Sequence, residues 1–213
     1  MKEMSISFVR ETETFDPVEN LHREAFYIDH LTLPAARVWR NTECVVLGKF
    51  LRAQDEVHVE RARAVGIPVL KRISGGGAVF HDLGNINYSI YLPAGMLSGW
   101  SIDESLKVLS YPVLLALESL GLPWEWVPPN NIYVEGRKVS GSAQARKKCG
   151  LLHHGTLLVS CDLARMRSLL KDGGRSKVAG VVNLNELLSE VDTETVEKLL
   201  ADLLISGWPA ELC

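Results

Sequence analysis

Near its centre the chain carries the stretch Lys71-Arg-Ile-Ser-Gly-Gly-Gly-Ala-Val-Phe-His-Asp82. Its three consecutive glycines lie between the short apolar runs 67–70 and 78–80, and each run predicts a buried strand. Glycine accepts positive φ and lets another group approach closely, because it has no Cβ. A turn of this kind, with Arg72 at its entrance, suits an anion such as a phosphate or carboxylate. It is equally typical of a tight hairpin that binds no ligand.

Length and composition limit the classes of protein that the chain can represent. With 213 residues, 46% of them hydrophobic, the chain can bury one substantial core, and we expect a single domain over residues 1–213. The net charge of −3 gives no electrostatic case for nucleic acid or a membrane surface as the partner. No apolar run approaches the roughly 20 residues of a membrane-spanning helix, and the N-terminus lacks the apolar segment of a secretory signal. These features predict a cytoplasmic protein.

Helix signals occur at five places, one of which predicts a short helix over 163–170. Asp16-Pro17 predicts the start of a helix that runs to about residue 29 and buries the face formed by Val18, Leu21, Ala25 and Ile28. The capping-box pair Ser101 and Glu104 predicts a helix to about residue 120. A charged helix over 55–65 and a C-terminal helix over 195–205 complete the set.

Strand signals are short and numerous. Residues 36–40 and 44–47 predict a strand pair around a turn, and residues 85–91 alternate polar and apolar side chains as a half-buried strand does. Residues 132–134 and 138–139 predict a hairpin, and residues 151–159 a further strand. Strand pairs mixed with a few helices indicate the α+β class, with helices packed on a mixed sheet.

Two further motifs follow the glycine-rich stretch. Residues 130–144 read Asn-Asn-Ile-Tyr-Val-Glu-Gly-Arg-Lys-Val-Ser-Gly-Ser-Ala-Gln, and residues 153–158 read His-His-Gly-Thr-Leu-Leu. In this order the motifs resemble the lipoate–protein ligase family, within the biotin/lipoate ligase and octanoyltransferase superfamily. The resemblance also takes in residues 38–41 with 45–48, and residues 176–178 with 182–184, so it covers nearly the whole chain. It implies a catalytic domain with the fold of class II aminoacyl-tRNA synthetases and biotin ligases.

The resemblance also implies a reaction. Ligases of this family activate lipoate with Mg-ATP to lipoyl-adenylate, and they pass the lipoyl group to a specific lysine of a lipoyl-carrier domain. Lys138 matches the lysine that contacts both the acyl carbonyl and the phosphate, so it is the predicted catalytic residue. The other residues implied to bind ATP are Arg72, Gly77, Ala78, Val79, Phe80, Asn85 and Asn130. Those implied to bind lipoate, together with Lys138, are Gly75, Gly76, His154 and Gly155.

The chain departs from the family pattern in two respects. Family ligases often carry Asn-Asp where this chain has Asn130-Asn131, and an amide is a weaker ligand for Mg²⁺ than a carboxylate. Asn131 is therefore only a candidate metal ligand, and no other metal ligand is predicted. Many family members also carry a C-terminal accessory domain that this chain lacks, so a separate accessory subunit is one expectation and independent action another.

Two other functions stay open at this stage. An octanoyltransferase would move octanoate from acyl-carrier protein through a cysteine thioester, which requires an activated thiolate. The four cysteines, of which Cys149 follows a basic run, do not match the cysteine positions of the transferase branches. A non-catalytic module that binds lipoate or a lipoyl domain is the third interpretation. The sequence does not decide between lipoate and octanoate as the acyl substrate.

Overall fold

Strands build two sheets in the computed structural model, which describes residues 7–9, 14–96, 99–172, 174–175 and 180–206. The strands are β1 (Ser7–Phe8), β2 (Ala35–Trp39), β3 (Cys44–Leu47), β4 (Val69–Lys71), β5 (Val79–His81), β6 (Asn85–Pro93), β7 (Trp124–Val127), β8 (Asn131–Val134), β9 (Arg137–Arg146) and β10 (Gly150–Leu158). The helices are α1 (Pro17–His30), α2 (Ala53–Glu56), α3 (Val59–Ala64), α4 (Ile102–Leu109), α5 (Tyr111–Ser119), α6 (Leu163–Leu169) and α7 (Thr193–Ser206), with 3-10 turns at Ala94–Met96 and Leu184–Glu186.

The larger sheet has the strand order β1-β2-β6-β10-β9-β8-β7, and the smaller has the order β4-β3-β5. Only β1 pairs in parallel in the larger sheet, whereas β4 is parallel and β5 antiparallel to β3 in the smaller one. The predicted pairing of 36–40 with 44–47 is therefore wrong, since β2 and β3 belong to different sheets. A hairpin between β4 and β5 is excluded as well, because both strands pair with β3 and not with each other.

Strand β6 lies between β2 and β10 and is buried on both faces along residues 85–92. The prediction of a half-buried strand is therefore wrong, although the alternation behind it is correct. Ile86, Tyr88 and Ile90 belong to the main apolar core with residues of α5 and α7. Asn87 and Ser89 face the opposite side of the sheet, which α1 and the smaller sheet cover. Both faces are buried, and the second face is polar at Asn87 and Ser89 but joins an apolar cluster with α1 at Tyr91.

The helices begin at or near the predicted residues, but the predicted charged helix over 55–65 is wrong in its extent, because Val57 and His58 separate α2 from α3. Two further details differ. The carboxylate of Asp16 accepts a hydrogen bond from the Glu19 N–H at 2.8 Å, which caps α1 as expected. The buried face of α1 is rotated from the predicted one and carries Pro17, Asn20, Glu24 and Ile28, while Val18 is 45% exposed. The predicted helix over 101–120 is two helices that meet at Ser110, although its capping box is present.

The turn between β8 and β9 forms as predicted. Glu135 and Gly136 have φ of 50° and 72°, the left-handed region that a two-residue hairpin turn uses. This turn sends β9 back along β8 with Lys138 near its start. Among the described residues, no helix has the length and apolar composition to cross a membrane.

Candidate functional site

A cavity of about 420 Å³ lies between the polar face of the larger sheet and the smaller sheet. Strand register places a single row of lining residues across the floor, one from each neighbouring strand: Trp39, Asn87, Thr156, Gly141, Asn131 and Val127. Neighbouring strands are about 4.8 Å apart, so Trp39 and Asn131 are separated by roughly 19 Å along this row. The cavity is therefore elongated across the sheet, with an inner end at Trp39 and an outer end at Asn131.

Residues 74–77, the glycine loop, lie above the middle of this row. The Lys49 N–H donates to the Ser74 carbonyl at 2.7 Å, and a Cβ added at Gly48 would lie 2.2 Å from the Gly76 carbonyl oxygen. Gly76 has φ of 90°, a conformation that other residues rarely adopt. Gly48 and Gly76 thus let the glycine loop pack directly on the end of β3. A side chain at Gly48 would collide with the backbone of the loop.

Arg72 shapes the glycine loop from within. Its guanidinium donates to the carbonyls of Val46 at 3.1 Å, Gly75 at 2.6 Å and Gly77 at 2.8 Å, and Nε donates to Ser74 Oγ at 2.9 Å. Four of the five N–H donors are thereby used within the protein. Burial lowers the pKa of Arg72 to about 10, against the opposing effect of Glu24. Contact of Arg72 with a nucleotide stays a prediction, and at most one of its donors remains for it.

A buried chain of hydrogen bonds joins the glycine loop to helix α1. Ser74 Oγ, which accepts from Arg72, lies 2.6 Å from His154 Nε2, and His154 Nδ1 contacts Glu24 Oε1 at 2.8 Å. The same carboxylate oxygen accepts from the Ser89 hydroxyl at 2.6 Å. Although the order Ser–His–Glu is that of a hydrolase triad, Ser74 is buried and is not among the cavity-lining residues. This series of hydrogen bonds therefore holds the glycine loop in place.

Glu24 is the negative charge around which this network is built. Burial works to raise its pKa, but His154, Ser89 and Arg37 outweigh burial and hold the pKa below its ordinary value. Its Oε2 has no hydrogen-bond partner in the part of the chain that the structure describes. Glu24 is among the residues that line the cavity near its inner end, although it is 1% exposed.

His81 and Asp82, which follow the glycine loop, have separate roles. Asp82 accepts from the Gly84 N–H at 2.8 Å and from the Asp162 N–H at 2.7 Å, so it fixes the turn before β6. His81 lines the cavity, and its Nδ1 lies 3.1 Å from Asn41 Nδ2. Burial lowers the pKa of His81 to about 3, so the ring is neutral at physiological pH. A His81–Asp82 general-base pair is not formed.

Lys138 lies at the outer end of the cavity, on β9. A Cβ added at Gly141 would lie 2.8 Å from Lys138 Nζ and 3.4 Å from Asn131 Oδ1, so the absence of a side chain at Gly141 makes room for the amine. The Lys138 backbone is held on its other edge, where its N–H donates to the Gly180 carbonyl at 2.8 Å. The amine of Lys138 and the amide of Asn131 therefore face one spot on the cavity wall.

The structure brings most of the predicted site residues together. Those that line the cavity are Arg72, Gly76, Gly77, Ala78, Val79, Phe80, Asn130, Asn131, Lys138, His154 and Gly155. Gly75 does not line it, because its carbonyl faces the Arg72 guanidinium. Asn85 does not line it either, because its amide is used on the Asp82 N–H and on Asn87. The predicted motif at 176–178 lies outside the described residues.

Sequence reasoning missed Glu24, Asn87 and Arg175, all of which line the cavity. A signal existed for Glu24, because Asn20 and Glu24 are spaced four residues apart on α1 and both turn inward. Arg175 stands outside the sequence motifs, and its N–H donates to the Glu56 carboxylate at 2.9 Å. Trp39 is buried and also forms part of the cavity wall.

The described cysteines do not form a thiolate site. Burial raises the pKa of Cys44 to about 12, and burial together with Asp82 and Asp162 raises that of Cys161 further. Cys149 is exposed and does not line the cavity. Groups of three or more His, Cys, Asp or Glu side chains able to hold a metal ion are also absent from the described ranges.

Comparison with known proteins identifies the family. Residues 16–204 match the model of the lipoyl protein ligase A/B catalytic domain. A lipoate-protein ligase from Bacillus subtilis is 33% identical over 92% of this chain, which covers 61% of that protein. Across three curated relatives the chain spans 50% to 62% of their length.

Solved structures confirm the predicted fold. The bi-partite lipoate protein ligase of Thermoplasma acidophilum superposes with a TM-score of 0.82 at 25% identity, covering 97% of this chain and 86% of that one. A lipoate-protein ligase A bound with ATP gives 0.80 at 25% identity, covering 97% and 87%. A biotin protein ligase from Aquifex aeolicus shares the fold alone, with a TM-score of 0.51 at 16% identity over 95% and 67%. The α+β, synthetase-like fold is therefore the one predicted.

Proposed function

Because this chain belongs to the lipoyl protein ligase A/B catalytic domain family, we propose that it activates lipoate with ATP and transfers the lipoyl group to a lysine of a lipoyl-carrier domain. One observation carries this proposal: a single elongated cavity has the Lys138 amine at one end and the glycine loop along its side. A lipoate ligase with ATP bound has the same fold over 97% of this chain. We therefore assign the acyl chain and the reacting phosphate of ATP to this one cavity.

The first step joins two anions. A lipoate carboxylate oxygen attacks the α-phosphorus of ATP, the bond from that phosphorus to the bridging oxygen breaks, and pyrophosphate leaves. Lys138 lowers the repulsion between carboxylate and phosphate, because its ammonium can lie against both. Gly141 leaves room for the Lys138 amine, since a methyl group at this position would lie 2.8 Å from the amine nitrogen. Binding both reactants in one cavity supplies the positioning that the step requires.

In the second step the acceptor lysine amine attacks the acyl carbonyl, AMP leaves with the electrons of the broken C–O bond, and the amine loses a proton. Lys138 then polarises the carbonyl and stabilises the oxyanion. Among the residues that line the cavity, Glu24 is the one carboxylate, and it lies at the inner end. The proton of the acceptor amine is therefore released to phosphate or solvent rather than to a carboxylate of the described chain.

We propose that Mg²⁺ reaches the site bound to the phosphates of ATP. Proteins usually hold Mg²⁺ through one or two carboxylates together with substrate phosphates. At the outer end the described chain offers the amide oxygen of Asn131 and no carboxylate. The residues thus suit a cation that arrives already bound to phosphate, and Mg²⁺ would neutralise phosphate charge there.

The acceptor and a companion subunit are further parts of the proposal. The bi-partite ligase from Thermoplasma acidophilum is described together with its E2 lipoyl domain, and this chain covers 86% of the matched ligase chain. By likeness to that bi-partite ligase, we propose a lipoyl domain as the acceptor and a separate accessory subunit as a companion. The cytoplasmic location stays a prediction from the sequence.

Incubation of the protein with lipoate, Mg-ATP and a lipoyl domain tests the proposal. A mass gain of one lipoyl group on the acceptor, with release of pyrophosphate, is the expected result. Transfer only from octanoyl–carrier protein, without ATP and lost on alkylation of cysteine, would replace the ligase with the transferase. Binding of lipoate without any pyrophosphate release, with and without a companion subunit, would replace it with the binding module.

A further inference from the structure

Arg175 is one of three lysine or arginine residues that line the cavity in the described part of the chain, together with Arg72 and Lys138. The Arg72 guanidinium uses four of its five N–H donors on the protein itself. Lys138 lies over Gly141 at the outer end. Arg175 is exposed, and its guanidinium makes no hydrogen bond or ion pair with the described residues. Its five N–H donors are therefore not used by the part of the chain that the structure describes.

A buried carboxylate fixes the backbone at Arg175. Glu56, at the end of α2, is 4% exposed, and its two oxygens accept from the Arg175 N–H at 3.0 Å and 2.9 Å. Gly174 permits this close approach, since a Cβ there would lie 2.5 Å from Glu56 Oε2. The Lys171 N–H donates to the Glu56 carbonyl at 2.8 Å. A carboxylate is costly to bury unless it accepts hydrogen bonds, and here it accepts them from the residue that lines the cavity.

The chain that follows Arg175 pairs with the backbone of Lys138. The Lys138 N–H donates to the Gly180 carbonyl at 2.8 Å, and the Val182 N–H donates to the Lys138 carbonyl at 3.0 Å. Five residues of chain lead from Arg175 to Gly180, and they span at most about 18 Å. Both cationic residues are therefore held at the cavity by one stretch of chain, with the Glu56 contact at one end and the Lys138 contact at the other.

The proposed reaction brings more negative charge into the cavity than one ammonium can offset. Lys138 is assigned to the lipoate carboxylate and the α-phosphate, so the β- and γ-phosphates, which leave as pyrophosphate, require another cation. A guanidinium presents parallel N–H donors that match two phosphate oxygens. Adenine and ribose are uncharged and give no comparable reason for an arginine at this place.

We propose that Arg175 binds the β- and γ-phosphates of ATP and stabilises pyrophosphate as it leaves, and that Glu56 is the positioning residue that holds Arg175 for this contact. The proposal rests on the proposed function and adds two residues to its first step. Negative charge on the pyrophosphate grows as its bond to the α-phosphorus breaks, so a cation at this point stabilises the transition state. The second step does not use this cation, because pyrophosphate has already left.

Arg175→Ala should therefore slow one step and spare the other. Pyrophosphate release from lipoate and Mg-ATP measures the first step, and transfer from prepared lipoyl-adenylate to a lipoyl domain measures the second. We expect kcat/KM for ATP to fall by about 10- to 100-fold, the effect of losing one charged hydrogen-bond partner, while transfer stays within about twofold. Arg175→Lys keeps the charge without the fork and should fall between the two. Equal losses in both steps, or no loss in the first, would overturn the proposal.

Glu56→Gln tests the positioning role. Glutamine has a similar size, but its amide nitrogen cannot accept from the Arg175 N–H, so kcat/KM for ATP should fall by about tenfold. In the Arg175→Ala background the same change should have an effect within about twofold, because it acts through Arg175. Arg167→Ala is the control, since Arg167 is an exposed arginine of α6 that does not line the cavity. Equal losses from Glu56→Gln in both backgrounds would contradict the assignment of Glu56.

Failure of the proposed function would be recognised separately. If neither step occurs, calorimetric binding of Mg-ATP and of AMP to the intact protein still measures the contact. Arg175→Ala should then weaken Mg-ATP binding by about tenfold or more and change AMP binding by less than about twofold, because AMP lacks the β- and γ-phosphates. Equal weakening of both nucleotides, or absence of Mg-ATP binding in the wild-type protein, would refute the role of Arg175.

Discussion

The two faces of the seven-stranded sheet are both buried, yet their chemistry is opposite. On β6, Ile86, Tyr88 and Ile90 pack into the apolar core beneath α5 and α7. Asn87 and Ser89, from the same strand, lie in the polar layer between α1 and the smaller sheet. Strand periodicity of two residues separates these sets. The comparison shows that one strand can supply stability on one side and a binding site on the other.

The polar layer uses most of its hydrogen-bonding capacity internally. The network from Arg72 to Glu24 fixes the glycine loop, and the Lys138 amine lies beside Asn131 at the outer end of the cavity. We therefore expect substitutions in the polar layer to change activity more than stability, and substitutions in the apolar layer to do the reverse.

Lys138→Ala should give the largest effect and should affect activity alone. Loss of the ammonium at the reacting centre is expected to lower adenylate formation by about 1,000-fold, the upper range for removal of one charge-stabilising donor. Pyrophosphate release measures the rate, and urea unfolding should show a change within about 0.5 kcal/mol. Lys107→Ala, on the exposed side of α4, is the control. Near-normal turnover of Lys138→Ala would show that the site assignment is wrong.

Ile90→Ala tests the apolar layer. Ile90 is fully buried in the main core, so its truncation should lower the free energy of unfolding by about 3 kcal/mol. Its kcat/KM per folded molecule should stay within about twofold of the wild-type value, because the side chain points away from the cavity. Urea unfolding and an active-site titration measure the two quantities. A large loss of activity in the folded variant would show that the two faces are coupled.

Acid should destabilise the protein through a histidine in each layer. Burial lowers the pKa of His153, on the helix side, and of His81, on the cavity side, to about 3 each. Below the unfolded pKa of about 6.5, the unfolded state binds protons that the native state does not, so stability falls as the pH falls towards 3. The expected slope between pH 6 and 4 is about 2–3 kcal/mol per pH unit.

His153→Gln separates the contributions of the two histidines. It should remove about half of the slope that the pair contributes, because the glutamine does not titrate and can keep a polar contact with Gln144. Urea unfolding at several pH values measures the slope in both proteins. An unchanged slope in His153→Gln would mean that carboxylates govern the acid sensitivity.

Gly141→Ala should give the smallest effect. The added methyl would meet the flexible end of Lys138 rather than backbone, so the protein should stay folded with nearly unchanged stability. Displacement of the amine should lower adenylate formation by about tenfold, a difference of about 1.4 kcal/mol in the barrier. Gly95→Ala is the control, because Gly95 has open space around it. Gly121→Ala would be a poor control, because Gly121 has φ of 72° and a side chain there would be strained. Unchanged kinetics would show that the amine does not need this position.

By itself the sequence determined the helix starts, the β8–β9 turn and the set of motifs that identify the family, because these depend on local capping, backbone preference and residue order. Asp16 with Pro17 and Glu135 with Gly136 behave as their types predict. It also determined most of the cavity residues, since Lys138, His154 and the glycine loop stand in motifs with a fixed order.

Only the tertiary structure decided how these pieces meet. Strands β2 and β3 separate into different sheets because their partners, β6 and β4, are distant in the chain. Asn20 and Glu24 lie on the buried face of α1, against the apolar periodicity of the helix. Asn20 pairs there with Arg37, and Glu24 pairs with His154. Local patterns encode what each residue prefers, whereas the partners that satisfy a buried charge come from elements far apart in sequence and are fixed only when the chain folds.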